Sequence, residues 1–167
     1  MLSYVVAISQ NNVIGYEGKL PWHLPADVKF FKEITLSGTK TMIMGRKTFE
    51  SLPGVLPGRK HIVYTQNKDY HVNDENVEII HTFDELLAYA GSDHEYFVIG
   101  WAQIFELLFP YTGRMYLTRI YADFEGDTFF PEYDELDWEE KYKSEGVVDE
   151  NNRYPHTFFV LDRKKQK

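Results

Sequence analysis

No cysteine occurs among the 167 residues. That excludes disulfides, thiolate nucleophiles and thiolate metal sites, and it fits a reducing compartment. Long apolar runs are missing as well. The longest, such as Tyr4 to Ile8 and Tyr96 to Ile99, fall far short of the ~20 residues a membrane-spanning helix needs. No charged-then-apolar leader precedes Leu2, so a soluble cytoplasmic protein is expected. Basic charge is also in deficit: the net charge of −8 argues against general nucleic-acid binding. There is no Gly-x-Gly-x-x-Gly run, no internal repeat and no low-complexity linker. His61, His71 and His81 lie ten residues apart in loops and strands. They lack helical ligand spacing, and with no thiolates available no metal site is expected.

What is present suits one compact unit. A hydrophobic content of 43% supports a sizeable core, and the reading is a single domain over residues 1–167. Charge is unevenly placed. Residues 29–60 hold seven Lys or Arg against two Glu, while 123–150 hold twelve Asp or Glu against two Lys. The basic stretch reads as a place for a small polyanion. Phe129-Phe130-Pro131 anchors the acidic stretch, which therefore reads as surface of the same domain.

Periodicity predicts a buried strand over Leu2 to Ser9, a loop over Gln10 to Leu24 and a helix over Pro25 to Thr35. A strand over Thr41 to Met44 follows, then a short helix opened by Gly45 and running through Leu52. The turn segment Pro53 to Gly58 leads into a strand over His61 to Tyr64. Thr82 and Glu85 form a capping-box pattern ahead of a helix over Phe83 to Ala90. A strand over Tyr96 to Ile99 ends at Gly100, before a helix over Ala102 to Leu108. Strands over Met115 to Tyr121, Trp138 to Ser144 and Thr157 to Arg163 then follow with no helix-length segment between them. The fold class expected is α/β: a mostly parallel central sheet with antiparallel C-terminal strands and helices on both faces.

The most informative run is Val13 to Lys32, where a glycine-punctuated loop feeds a helix that carries a carboxylate in its apolar stripe. At 100° per residue, Asp27, Val28, Phe30, Phe31 and Ile34 share one face, and Lys29, Lys32 and Glu33 point away. A buried carboxylate is costly unless paired. Asp27 is therefore a first-turn acid complementing the helix dipole, a structural hydrogen-bond acceptor, or a ligand-binding group.

The ordered motifs Leu20-Pro21-Trp22-His23-Leu24-Pro25-Ala26-Asp27, Gly45-Arg46-Lys47-Thr48-Phe49-Glu50-Ser51, Leu56-Pro57-Gly58-Arg59 and Glu125-Gly126-Asp127-Thr128-Phe129-Phe130-Pro131 together resemble bacterial chromosomal dihydrofolate reductases from end to end. The resemblance implies reduction of dihydrofolate with NADPH by a monomer that antifolates inhibit. It assigns Asp27 to the 2-amino and N3 groups of the pterin, too far from N5 to protonate it directly. As the only ionisable side chain of an apolar pocket, Asp27 is expected to have a raised pKa and to stabilise a protonated ring while water delivers the proton. Trp22 is expected to fix that water and Thr118 to orient Asp27, with Leu20 on the loop above. Val6, Ala7, Val28, Phe31, Leu52, Leu56 and Ile99 are expected to wall the substrate. Arg59, helped by Lys32, is expected to clamp the glutamate carboxylate.

For the cofactor the resemblance implies three strand ends rather than one fingerprint. Gly45, Arg46, Lys47 and Thr48 begin a helix toward the pyrophosphate, with Arg46 reaching the 2′-phosphate. Thr65 and Gln66 adjoin that phosphate. Gly100, Trp101, Ala102, Gln103 and Ile104 offer a second helix start. Ala7, Ile14, Gly15 and Ile99 border the nicotinamide. The chain departs from the family pattern at Trp101, where a second glycine is usual after a peptide that is usually cis, at Leu20, often methionine, and at Phe105, tyrosine in some members. The competing readings are a pyrimidine reductase of related fold, disfavoured by Trp22, Asp27, Phe31 and Arg59 together, and a folate- or nucleotide-binding module without turnover.

Overall fold

The computed structural model describes residues 1–100 and 102–165. Its strands are β1 (Leu2–Ser9), β2 (Val13–Gly15), β3 (Thr41–Gly45), β4 (Lys60–Tyr64), β5 (Val77–Ile80), β6 (Tyr96–Val98), β7 (Thr112–Ile120), β8 (Thr128–Phe129), β9 (Trp138–Glu145) and β10 (His156–Arg163). Its helices are α1 (Pro25–Thr35), α2 (Arg46–Ser51), α3 (Phe83–Ala90) and α4 (Ala102–Leu108). Eight strands form one sheet in the order β5-β4-β3-β6-β1-β7-β10-β9. Pairing is parallel from β5 to β7, and β10 runs antiparallel to both β7 and β9. The parallel strands are short continuous apolar runs because helices cover both of their faces.

Alternation along each strand divides the core in two. Tyr4, Ile8, Ile43, Ile62 and Met115 pack with Leu86 of α3 and Phe105 and Leu108 of α4. Val5, Met42, Met44, Val63 and Phe97 face the other way, against Phe30, Phe31 and Ile34 of α1 and Phe49 of α2. Parallel register places the carboxyl ends of β1, β3, β4 and β6 along one edge, with Gly45 opposite Tyr64 and Ile43 opposite Val98. Crevices beyond such strand ends are where open α/β sheets bind ligands.

Local chemistry explains the helix that matters most. Leu24 precedes α1 without a side-chain cap, Pro25 opens it, and Asp27 lies in its first turn, where a carboxylate complements the helix dipole. The capping box is present at α3: Thr82 accepts from the Glu85 N–H at 3.2 Å and donates to the Glu85 carboxylate at 2.9 Å.

Several boundaries differ from the sequence reading. The stretch taken as loop from Gln10 to Leu24 contains β2, which pairs with β8 in a separate two-stranded ribbon. β5, in a stretch the sequence reading left unassigned, is an edge strand held in parallel register by β4. Gly45 is both the last residue of β3 and the N-cap of α2, whose helical residues begin at Arg46. No helix among the described residues is long and apolar enough to cross a membrane.

Candidate active site

A cleft of about 450 Å³ opens between the strand ends and α1. Val6 and Ala7 of β1, Ile14 of β2, Leu20 of the following loop, Asp27, Val28 and Phe31 of α1, Thr48, Leu52, Ile99, Gly100 and Thr118 of β7 all line it, as the sequence suggested. Val5, Gly18, Lys19 and Ser51 also line it and were missed. Two of these carried a signal: Val5 shares a strand face with Ala7 by the period of two, and Ser51 lies one turn beyond Thr48. Lys19 corrects the expectation that Asp27 is the only ionisable wall residue.

Asp27, half-buried, is one of the cleft's wall residues. The Thr118 hydroxyl donates to its Oδ1 at 2.6 Å, a short charge-assisted bond. Burial pushes its pKa above the ordinary carboxylate value, against the Thr118 hydrogen bond and the field of His156, which both lower it. Val28 corrects the helical-face reading. It is 61% exposed, beside Leu20 at 52%, because both face the open cleft and not the core. Two apolar side chains bared beside a half-buried carboxylate suit a planar ligand with an apolar body and one polar edge.

Trp22 stands behind the wall, 7% exposed, packed with Leu24 and Ile120 and edge-on to Phe124 at 5.2 Å. Its indole N–H is buried without a partner among the described residues. Such a donor is costly unless a ligand or water meets it.

Arg59 is 6% exposed. Its Nε donates to the Pro57 carbonyl at 3.2 Å and one terminal nitrogen to the Thr35 hydroxyl at 3.0 Å. No carboxylate pairs with it among the described residues, and burial lowers its pKa. Lys32, Leu56 and Arg59 do not line the cleft itself. Lys32 is exposed on α1, and Leu56 packs on the core cluster under that helix.

Around the strand ends, Gly45 leads β3 into α2, which starts with Arg46 and Lys47. Thr65 and Gln66 follow the neighbouring β4, and α4 begins with Ala102, Gln103 and Ile104 on the far side of Gly100. Gly100 has φ +133°, and a Cβ there would come within 2.6 Å of the Thr48 hydroxyl. Only glycine allows this approach. The Trp101 expectations, including the Gly100–Trp101 peptide, lie outside the described residues. Arg46 is partly engaged within the chain: Nε donates to Glu50 at 2.8 Å and the guanidinium lies 4.5 Å over the Tyr70 ring. Its terminal nitrogens remain for an anion.

The loop over the cleft is tied down from afar. Gly15 O accepts from the Asp127 N–H at 3.1 Å, and the Asp127 carboxylate accepts from the Glu17 N–H at 3.0 Å. A Cβ on Gly126 would fall 2.2 Å from Val13, so the acidic stretch and the ribbon strand are in close contact.

The profile of the family described as Dihydrofolate reductase matches residues 1–163. Dihydrofolate reductase of Bacillus subtilis (strain 168) is 42% identical over 164 residues, covering 98% of this chain and 95% of that protein. The Staphylococcus aureus (strain N315) enzyme of that name is 43% identical, covering 98% and 99%. Among solved structures, dihydrofolate reductase from Enterococcus faecalis complexed with NADP(H) and RAB-propyl superposes with a TM-score of 0.86 at 43% identity, covering 99% of this chain and 97% of that one. With a whole-length profile, close relatives and a matching architecture in agreement, this chain belongs to the dihydrofolate reductase family.

Proposed function

We propose that this chain, acting as a monomeric single domain, reduces 7,8-dihydrofolate to tetrahydrofolate with NADPH, with hydride transfer to C6 and protonation of N5 by water. The observation that carries the reading is Asp27, a half-buried carboxylate in the wall of an apolar cleft, desolvated there and held by Thr118 at 2.6 Å. Its two oxygens suit the paired 2-amino and N3 donors of a pterin. In a water-poor cleft its negative charge favours the protonated, electron-poor ring. Trp22 supplies a donor that can orient a water, and Phe31, Val28, Leu52 and Ile99 pack the ring and benzoyl group. Arg59, a buried cation with no carboxylate partner among the described residues, receives the glutamate tail, with Lys32 at the helix edge.

The residues present fit the cofactor. Gly100 and Thr48, packed too closely for a Cβ between them, line the cleft where α2 and α4 begin, and Ala7, Ile14 and Gly15 give the nicotinamide an apolar border. When bound, reduced nicotinamide supplies the hydride. Arg46, with Thr65 and Gln66, takes the 2′-phosphate. The direct test is loss of nicotinamide absorbance on adding dihydrofolate: steady turnover supports the proposal, and tryptophan quenching by NADPH without turnover would leave only a binding module.

Two variants probe this assignment. Arg46→Ala is expected to raise the Michaelis constant for NADPH roughly tenfold and leave that for NADH nearly unchanged, since only the former has the phosphate. An equal rise for both would remove Arg46 from the phosphate site. Thr118→Val is expected to weaken a diaminopyrimidine inhibitor by roughly tenfold. It should also move the acid limb of inhibitor binding to higher pH, because the lost hydrogen bond is one that lowers the pKa of Asp27.

A further inference from the structure

The first turn of α1 cannot satisfy itself. Leu24 has no side-chain acceptor, Pro25 has no N–H, and the N–H groups of Asp27 and Val28 turn back to the Leu24 carbonyl at 2.9 and 3.3 Å. The Ala26 N–H is left over. Asn152, in the turn between β9 and β10, accepts it through Oδ1 at 2.8 Å. Its amide is oriented by Asp149, whose Oδ1 accepts from Asn152 Nδ2 at 3.2 Å and from the N–H groups of Asn151 and Asn152 at 2.9 and 2.7 Å. With Nδ2 held there, the oxygen faces Ala26; the flipped amide would set donor against donor. Those N–H groups, that of Asn152 foremost, hold the Asp149 carboxyl below its ordinary range.

A second, apolar attachment runs alongside. Tyr154 lies against Phe124 at 5.0 Å, and Phe124 against Trp22 at 5.2 Å, in the cluster that holds Leu24. The turn therefore grips both the approach to α1 and its first turn. Its far end is His156, buried with Nδ1 2.8 Å from the Tyr154 carbonyl. Gly146 is pressed so close to that imidazole that a Cβ would overlap it. Thr118 from β7 and His156 from β10 are the groups whose hydrogen bond and charge bear on Asp27.

We infer that the β9–β10 turn is a clasp on the helix that carries Asp27, and that Asn152 is a positioning residue, fixed by Asp149, that holds Asp27 in register with its substrate through the Ala26 N–H. The inference rests on Asp27 being the pterin-pairing carboxylate. Local capping from a distant segment sets the first turn, and sub-ångström placement of a reacting group governs rate.

The test is single-turnover hydride transfer at saturating NADPH and dihydrofolate. Asn152→Ala is expected to slow it roughly tenfold with NADPH affinity unchanged. The acid limb of diaminopyrimidine binding should move to lower pH, since water reaching a loosened first turn relieves the burial that raises Asp27. Asp149→Ala should slow transfer less, and add nothing in the Asn152→Ala background. A parent-like rate and pH limb in Asn152→Ala, with or without a lower melting temperature, overturns the inference, as does additivity of the two changes. Asp27→Asn is run beside them: if it keeps the parent rate, the reading of Asp27 fails and the clasp has nothing to position; if it collapses while Asn152→Ala does not, the clasp alone is refuted.

Discussion

Asp27→Asn is expected to fold at least as well as the parent and to lose roughly 10²–10³-fold in hydride transfer at neutral pH. The amide cannot supply the charge that favours a protonated pterin, so the remaining rate should follow substrate protonated in solution and rise as pH falls. Stability moves the other way. Burial raises the folded-state pKa of Asp27 above its unfolded value, so the folded chain binds the proton more tightly. That contribution is complete below the ordinary carboxylate pKa and is lost as pH rises through the raised one. At neutral pH the parent therefore carries a cost that the amide lacks. Thermal unfolding of the ligand-free proteins should show the variant equal or ahead at neutral pH, with the gap closing below pH about 4. A diaminopyrimidine should weaken by about 3–5 kcal/mol, the cost of breaking a buried charge pair. An unchanged hydride-transfer rate at neutral pH would falsify the role given to Asp27.

Arg59→Ala should weaken dihydrofolate by about 2 kcal/mol or more, as removal of one partner of a buried, hydrogen-bonded charge pair does. A diaminopyrimidine with no glutamate tail should bind almost as before. Arg59→Lys restores charge but not the planar fork, and it also lacks the reach to satisfy both Pro57 O and Thr35 Oγ1, so it should recover little. The comparison is made by equilibrium titration of both ligands. Equal losses for the two would mean that the guanidinium serves the loop and α1 instead of the substrate.

The sequence was most legible where one local pattern decided the structure. Pro25, the apolar stripe and Asp27 mark α1 from end to end, and Thr82 with Glu85 marks the start of α3, because capping and periodicity act within one turn. It was least legible where partners are distant. β2 forms because Val13 meets Phe129, and Asn152 matters because it meets Ala26; no window of neighbouring residues contains either contact. β5 hid because Glu78, which pairs at 2.9 Å with Lys60 of the neighbouring strand β4, breaks the apolar run. Charge patterns were legible only in part. Arg46 stands in a basic stretch yet is paired with Glu50 on its own helix, a contact the i, i+4 spacing could have revealed. Val28 shares the apolar face, but that face continues past the core into the cleft.

The placement of β1 also sets how the chain must be assembled. Leu2 pairs with Tyr96 on one side and Thr112 on the other, so the first of these ten strands to be synthesised lies in the middle of the sheet. Its neighbours arrive only after β3, β4 and β5 have been made. During synthesis an apolar strand with both edges unpaired must wait for most of its own chain. Such late, non-local closure makes folding slow and leaves sticky edges bare in the meantime. Substitutions in β6 or β7 that delay closure should therefore lower the yield of soluble enzyme before they alter the kinetics of the molecules that fold.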